Sequence, residues 1–264
     1  MVLIWNLILI VGFIKMNRFL VNCIDKILSL KRNDINIYVT LLKKYSKNPV
    51  KKVLELGCGA GSFLIPFCKK IKCIEGVGLD SNNDFIEHCN KKYLSTNYKF
   101  ELKLFNMDMR YFKLDTYFDL VLAPYSSLQE AETVNDIELI FANVSNYLNP
   151  NGIFIFDLIL AEDFYAPKPI ITDVIFLTPI NCNTELFFKK RTYFNKKKKK
   201  LKANYQFLEM DNSGKHLNFA DFDFYQTFFY FKEFKSILKK NNIKILEVYK
   251  NKISSRSFII TKKT

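Results

Sequence analysis

Three glycines at alternate positions, Gly57, Gly59 and Gly61, follow the apolar run Val53-Leu54-Glu55-Leu56 and lead into Ser62-Phe63. An apolar run rich in branched residues that breaks into glycines reads as a buried parallel strand turning sharply into a helix. Glycine reaches positive φ without a Cβ clash and lets a ligand approach the backbone. Such a turn suits a bound small molecule, although a purely structural turn can ask for the same residues. Other groups capable of chemistry recur downstream. Asp80 ends the run Cys73-Ile74-Glu75-Gly76-Val77-Gly78-Leu79, Asp108 follows the run 99–106, and Ala123-Pro124-Tyr125-Ser126-Ser127 follows Phe118-Asp119-Leu120-Val121-Leu122. Each lies at the carboxyl end of a predicted strand.

The elements that must position these groups alternate. The pattern IxIYVxLLKKY has helical spacing, with Asn33 or Asp34 able to cap it and Asn48-Pro49 to end it. Predicted helices then cover 63–70, 83–93 and 132–148, and the turn Asn149-Pro150-Asn151-Gly152 introduces a fifth strand over 153–158. Five strand–helix alternations argue for a parallel sheet covered by helices on both faces. Right-handed crossovers bring the strand ends to one edge, so Gly57 to Gly61, Asp80, Asp108 and 123–127 are expected to line one crevice.

From 161 to 230 the rhythm changes. The segments 185–195, 201–210 and 215–230 alternate apolar and polar residues, and the lysine run 196–200 and Asp211-Asn212-Ser213-Gly214 join them. These are hairpin signals and predict an antiparallel insertion able to wall off a pocket. A helix to about Lys240 and two closing strands, 243–249 and 256–261, complete the chain.

At 264 residues, 49% hydrophobic and 25% charged, the chain can bury a sizeable core. Its net charge of +14 suits an anionic partner, but the lysines are dispersed among Asn, Ile and Phe, so charge argues only weakly for nucleic acid. The six cysteines form no CxxC pair and only two histidines are present. This points to a reducing, cytoplasmic setting and away from a structural zinc or other metal. The stretch from Met1 to Ile14 is almost wholly apolar, with Lys15 and Arg18 just after it; it is short for a membrane span, and no positive n-region precedes it as in a secretory signal. Translation from Met16, or a locally packed helix, is favoured over membrane contact.

The ordered set ELGCGAG, the acid ending the second strand, Asp108, FDLVLAPYSSL and LNPNGIFIFDL resembles the successive motifs of class I S-adenosylmethionine-dependent methyltransferases over about residues 50–160. The resemblance implies a doubly wound, mostly parallel seven-stranded sheet of Rossmann-like α/β type with an antiparallel β insertion. DMRYFKL followed by FDLVLAPYSSLQ is most similar to small-molecule methyltransferases with a β-rich insertion before the last helix, sugar-amine N-methyltransferases among them. The expected division is a leader and helix at 1–32, a cofactor-binding core at 33–160, a substrate-capping insertion at 161–230, and a helix and strands at 231–264 that complete the core sheet.

By this resemblance Gly57, Cys58, Gly59 and Gly61 shape the cofactor loop. Backbone N–H groups at a glycine turn and helix start can hold the cofactor's carboxylate, and Glu55 offers negative charge nearby. Asp80, with Ser81 beside it, lies about twenty residues past the loop, the spacing at which an acid meets ribose hydroxyls in dinucleotide sites. A helix N-cap is its plainer alternative. The resemblance further implies that Asp108 accepts from the adenine amino group and that Ala123, with Pro124, lies beside the cofactor. Met107 or Met109 can pack on the ring as an adaptable apolar surface.

Methyl transfer needs no protein nucleophile, because the sulfonium is already activated; placement of the acceptor is the main demand. Tyr125, Ser126 and Gln129 follow the fourth strand, where this family's loops face the acceptor, and are expected to orient it, Tyr125 being the first catalytic candidate. His88, within a helix, and His216, after a hairpin turn, are poor bases. A dinucleotide oxidoreductase is disfavoured because Gly61 falls one position early for GxGxxG. Nucleic-acid methylation is disfavoured because Ala123-Pro124-Tyr125 lacks the Asp or Asn expected to hold a base amino group. A non-catalytic binding protein on the same fold is the third alternative, opposed by the intact loop and Asp80. The expected activity is S-adenosylmethionine-dependent methylation of a small molecule, with an amine slightly preferred over a hydroxyl, and no oligomeric state follows.

Overall fold

The computed structural model describes residues 18–30, 34–163, 174–181, 184–195, 197–251 and 256–264. The apolar leader, Cys182 and part of the insertion lie outside them. Helices α1 (Arg18–Leu30) and α2 (Asp34–Tyr45) precede β1 (Lys52–Leu56), α3 (Leu64–Ile71), β2 (Glu75–Asp80), α4 (Asn83–Leu94) and β3 (Glu101–Asn106). Then come β4 (Phe118–Ala123), a 3-10 turn over Ser127–Glu130, α5 (Val134–Tyr147) and β5 (Leu148–Leu158). The second sheet holds β6 (Val174–Asn181), β7 (Thr184–Asn195), β8 (Lys200–Asp211) and β9 (His216–Thr227), and α6 (Phe231–Lys240), β10 (Ile243–Lys250) and β11 (Ser257–Lys263) follow.

The main sheet has seven strands in the order β10-β11-β5-β4-β1-β2-β3. Strands β1 to β5 run parallel, while β11 is antiparallel to both β5 and β10. The strands at its centre read as continuous apolar runs because both faces are covered. Leu54, Leu56, Val121, Ala123, Phe154 and Phe156 turn towards α5 and α6, where Phe141 and Phe234 join them. Their neighbours Val53, Leu120, Leu122, Ile153 and Ile155 turn to the other face, against Tyr38 of α2, Phe63 just before α3 and Phe67 within it. Because β2 and β4 flank β1, the chain reverses its winding direction beside β1. This switch point opens a crevice at the strands' carboxyl ends.

The second sheet is a four-stranded antiparallel meander. It includes β6, which the alternation did not flag, and its last strand ends at Thr227, three residues before the expected limit. The chain leaves the sheet there because Phe228 and Phe229 turn inward and Tyr230 begins the capping of α6. Leu186, Phe188, Phe207 and Ala220 of this sheet pack against Leu20, Cys23 and Ile27 of α1. A further difference concerns residues 149–152, which lie inside the long β5 as an irregularity in which Asn151 takes φ +66°. Among the described residues no helix is long and apolar enough to cross a membrane.

Candidate functional site

A cavity of about 520 Å³ lies at the switch point, within the size range of small-molecule sites. The main sheet supplies its floor: Gly57 and Gly59 after β1, Asp80 and Ser81 after β2, and Tyr125 and Ser126 after β4. Helix α1 and the aromatic face of the second sheet close over it.

The glycine turn is built for close approach. Gly57, Gly59 and Gly61 all take positive φ, at +67°, +51° and +70°. At Gly59 a Cβ would meet nothing within 4 Å, so the backbone there is open to a ligand. Gly61 serves another purpose: a Cβ there would overlap Cys89 Sγ of α4 and come within 3.0 Å of Ile65. It does not line the cavity. Gly61→Ala should therefore cost stability rather than ligand contact, by at least about 2 kcal/mol from strain and overpacking combined. Chemical denaturation of the variant checks this, and an unchanged midpoint would refute it. Cys58 donates its backbone N–H to Leu79 O at 2.8 Å, tying the loop to β2, while its side chain is buried away from the cavity. Glu55 is buried within β1 beneath the turn and does not line the cavity either.

Asp80 couples the two sides. Its Oδ2 accepts from Gly59 N at 2.8 Å and its Oδ1 from Asn82 N at 2.9 Å. Burial raises its carboxyl above the ordinary value, against those two donors. Each oxygen keeps further acceptor capacity. The N-cap of α4 is Asn82, which accepts from Asp84 N at 2.9 Å, so Asp80 is not occupied as a cap.

Tyr125 and Ser126 both take φ +60°, an unusual left-handed pair for non-glycine residues. A buried carboxylate holds them. Asp157, at the end of β5, accepts from Tyr125 N at 2.8 Å, Tyr38 Oη at 2.6 Å and Arg256 Nη1 at 2.8 Å. The Arg256 guanidinium also lies 5.0 Å from the Tyr125 ring centroid, a cation–π contact. Tyr38, Asp157 and Arg256 went unassigned from sequence, because nothing local links positions 119 and 99 residues apart. The acid before the last residue of FIFDL, Asp157, was the single visible signal.

Several expected residues lie elsewhere. The acceptor-orienting role for Gln129 does not fit, because its buried amide is taken up between the ends of β5 and β9. It donates to Ile159 O and Thr227 O and accepts from Ile159 N. Asp108 receives Arg110 Nε and Nη2, the latter at 2.6 Å, and these bonds hold its carboxyl below the ordinary value. Asp108, Met109 and Ala123 stand outside the cavity lining. Met109 lies within 3.9 Å of where a Gly57 Cβ would be, and Ala123 is wholly buried.

The cover is pinned by an acid of α1 that no local pattern marks. Asp25 of α1 accepts from Lys92 Nζ at 2.8 Å and from Ser62 Oγ, and lies 3.2 Å from His88 Nε2. Burial acts to raise its carboxyl, yet these partners outweigh burial and hold it well below the usual range. His88 is thus a tether of α1. Glu130, also unassigned from sequence, ends the 3-10 turn and lines the cavity, and burial pushes its carboxyl up to about 8 with the Asp80 charge adding to the effect.

The arrangement fits S-adenosylmethionine in kind: an open glycine backbone for the amino-acid end, and a buried acid with spare acceptor capacity for ribose hydroxyls. Residues 53–152 match the family model described as a methyltransferase domain. A dTDP-3-amino-3,4,6-trideoxy-alpha-D-glucopyranose N,N-dimethyltransferase of Streptomyces venezuelae is 24% identical over 131 residues, covering 49% of this chain and 52% of that one. The chain thus spans about half the length of this curated relative. The crystal structure of Streptomyces venezuelae DesVI superposes with TM-score 0.77 at 16% identity, over 92% of this chain and 98% of that one. S-adenosylmethionine-bound CalS10, an amino pentose methyltransferase from Micromonospora echinaspora, does so with TM-score 0.69 at 15% identity, over 92% and 97%. Residues 53–152 are a methyltransferase domain, and the chain around them has the class I S-adenosylmethionine-dependent methyltransferase fold.

Proposed function

We propose that this protein transfers the methyl group of S-adenosylmethionine to a small-molecule acceptor, an amine in preference to a hydroxyl. The observation that carries this reading is the convergence of Gly57, Gly59, Asp80, Tyr125 and Ser126 on one cavity under an aromatic cover. Gly57 and Gly59 hold the cofactor's amino-acid end through backbone groups, and Asp80 accepts from its ribose. Bound there, the cofactor supplies an electrophilic methyl group on a sulfonium. The chain's own task is to bind, orient and exclude water, and orientation alone is worth roughly 7–11 kcal/mol of barrier. Tyr125, fixed by Asp157 and Arg256, is the residue best held to set the acceptor's approach. The preference for an amine draws on the two relatives named for methylation of amino sugars.

Calorimetry with S-adenosylmethionine and S-adenosylhomocysteine tests the reading. Both ligands should release or absorb heat, and at about a hundred times the dissociation constant either should stabilise the fold by roughly 2.7 kcal/mol. Absence of binding by folded protein would sink the proposal.

A further inference from the structure

Glu130 has surroundings that its place in the fold does not explain. It follows the Tyr125–Ser126 pair by four residues and ends the 3-10 turn on the cavity edge. Its side chain is exposed and lines the cavity. Among the described residues no donor and no cation reaches its carboxylate, and Asp80 is the charge that acts on it. The cavity's cation, Lys190, lies instead over the Tyr205 ring at 5.3 Å. Phe188, Phe207, Phe222 and Phe224 provide apolar cover. An acid that faces the cavity without a partner stabilises nothing that the structure contains. Such a group fits a ligand that brings the missing cation.

We propose that Glu130 receives the ammonium of the acceptor and removes its proton, and thereby selects amines over hydroxyls at this site. The proposal rests on the methyl-transfer reading above. An amine at neutral pH arrives protonated and has no lone pair to attack with. In the step, one N–H bond of the ammonium breaks and an O–H bond forms on a Glu130 carboxylate oxygen. The electron pair of the broken bond stays on nitrogen, and the proton passes to water when product leaves. The other titratable groups on the cavity are Asp25, Asp80, Tyr125, Lys190 and Tyr205. Asp25 is already bound to Lys92, and Asp80 to the glycine loop. The proton affinity of Glu130, raised to about 8, suits a base operating near neutrality. A neighbouring ammonium favours its ionised form. A hydroxyl acceptor gains no comparable contact, since it brings no charge to compensate the acid.

The test uses the full chain saturated with S-adenosylhomocysteine and two probes of like shape, cyclohexylammonium and cyclohexanol, titrated by calorimetry or NMR. The parent protein should bind the ammonium at least about thirtyfold more tightly than the alcohol, roughly 2 kcal/mol. Glu130→Gln should bring the two within about threefold of each other while S-adenosylhomocysteine binds as before. Glu130→Ala serves as the second variant, and melting curves establish that each is folded. Equal binding of the probes by the parent, no ammonium binding at all, or a preference that survives both substitutions overturns the proposal. If the parent binds no S-adenosylhomocysteine, the methyl-transfer reading fails first and this proposal falls with it.

Discussion

Asp80→Ala is expected to weaken S-adenosylmethionine binding by at least about a hundredfold, some 3 kcal/mol, in protein that remains folded. Two effects combine. The substitution removes the acid proposed to accept from the ribose, where hydrogen bonds to a charged group are worth about 1.5–3 kcal/mol each. It also releases Gly59 N and Asn82 N, which Asp80 holds at 2.8 and 2.9 Å, so the glycine loop loses its tie to the second strand's end. Asp80→Asn separates the two. Its amide oxygen can keep one loop contact while the charge is lost, so its affinity should fall between those of parent and alanine variant. Calorimetry gives the affinities, and an alanine variant within tenfold of the parent would show that Asp80 serves the loop alone.

Asp157→Ala is expected to produce the largest loss of stability of any single truncation near the site, about 3–5 kcal/mol. Asp157 is wholly buried and gathers Tyr38, Arg256 and the Tyr125 backbone around one carboxylate. Without it the Arg256 guanidinium, whose side chain is only 15% exposed, keeps Asp34 at 3.5 Å as its remaining carboxylate. Breaking one partner of a buried pair costs more than replacing the pair, because the surviving charge stays desolvated. For a chain of this size the melting temperature should drop by roughly 10 °C. Tyr38→Phe combined with Asp157→Ala should cost less than the sum of the two, since both act through one network. A loss under about 1 kcal/mol for Asp157→Ala would mean that the network does not hold the Tyr125 loop. Because Asp157 acts on the fourth-strand loop rather than the glycine turn, cofactor affinity should suffer less than in Asp80→Ala.

The strand-end floor of the cavity was legible in the chain because its signals are local. A glycine turn after an apolar run, and an acid at the end of the next such run, are read from neighbours in sequence and from the rule that parallel strands share one functional edge. Gln129 misled for the same reason. It stands four residues past Tyr125, in the loop expected to face an acceptor, but its amide bridges Ile159 and Thr227. No local pattern distinguishes an amide that faces a cavity from one that staples two strands. Asp108 likewise sits at the expected strand end, where only the fold reveals how fully Arg110 occupies it.

By itself the sequence determined the alternation of strand and helix, the edge at which ligand groups gather, the hairpins of the insertion and the cofactor class, because periodicity, glycine chemistry and strand-end position are properties of short segments. Tertiary structure alone decided what closes the cavity and what holds its Tyr125 side. Helix α1 reaches the site through Asp25 and Lys92, 67 residues apart, and Tyr125 is held by Asp157 and Arg256 from two other strands' ends. That Glu130 faces a cavity shared with α1 and the second sheet is likewise a consequence of their folding over a loop that, read along the chain, is ordinary. Burial and long-range pairing depend on which surfaces meet, and no short segment carries that information.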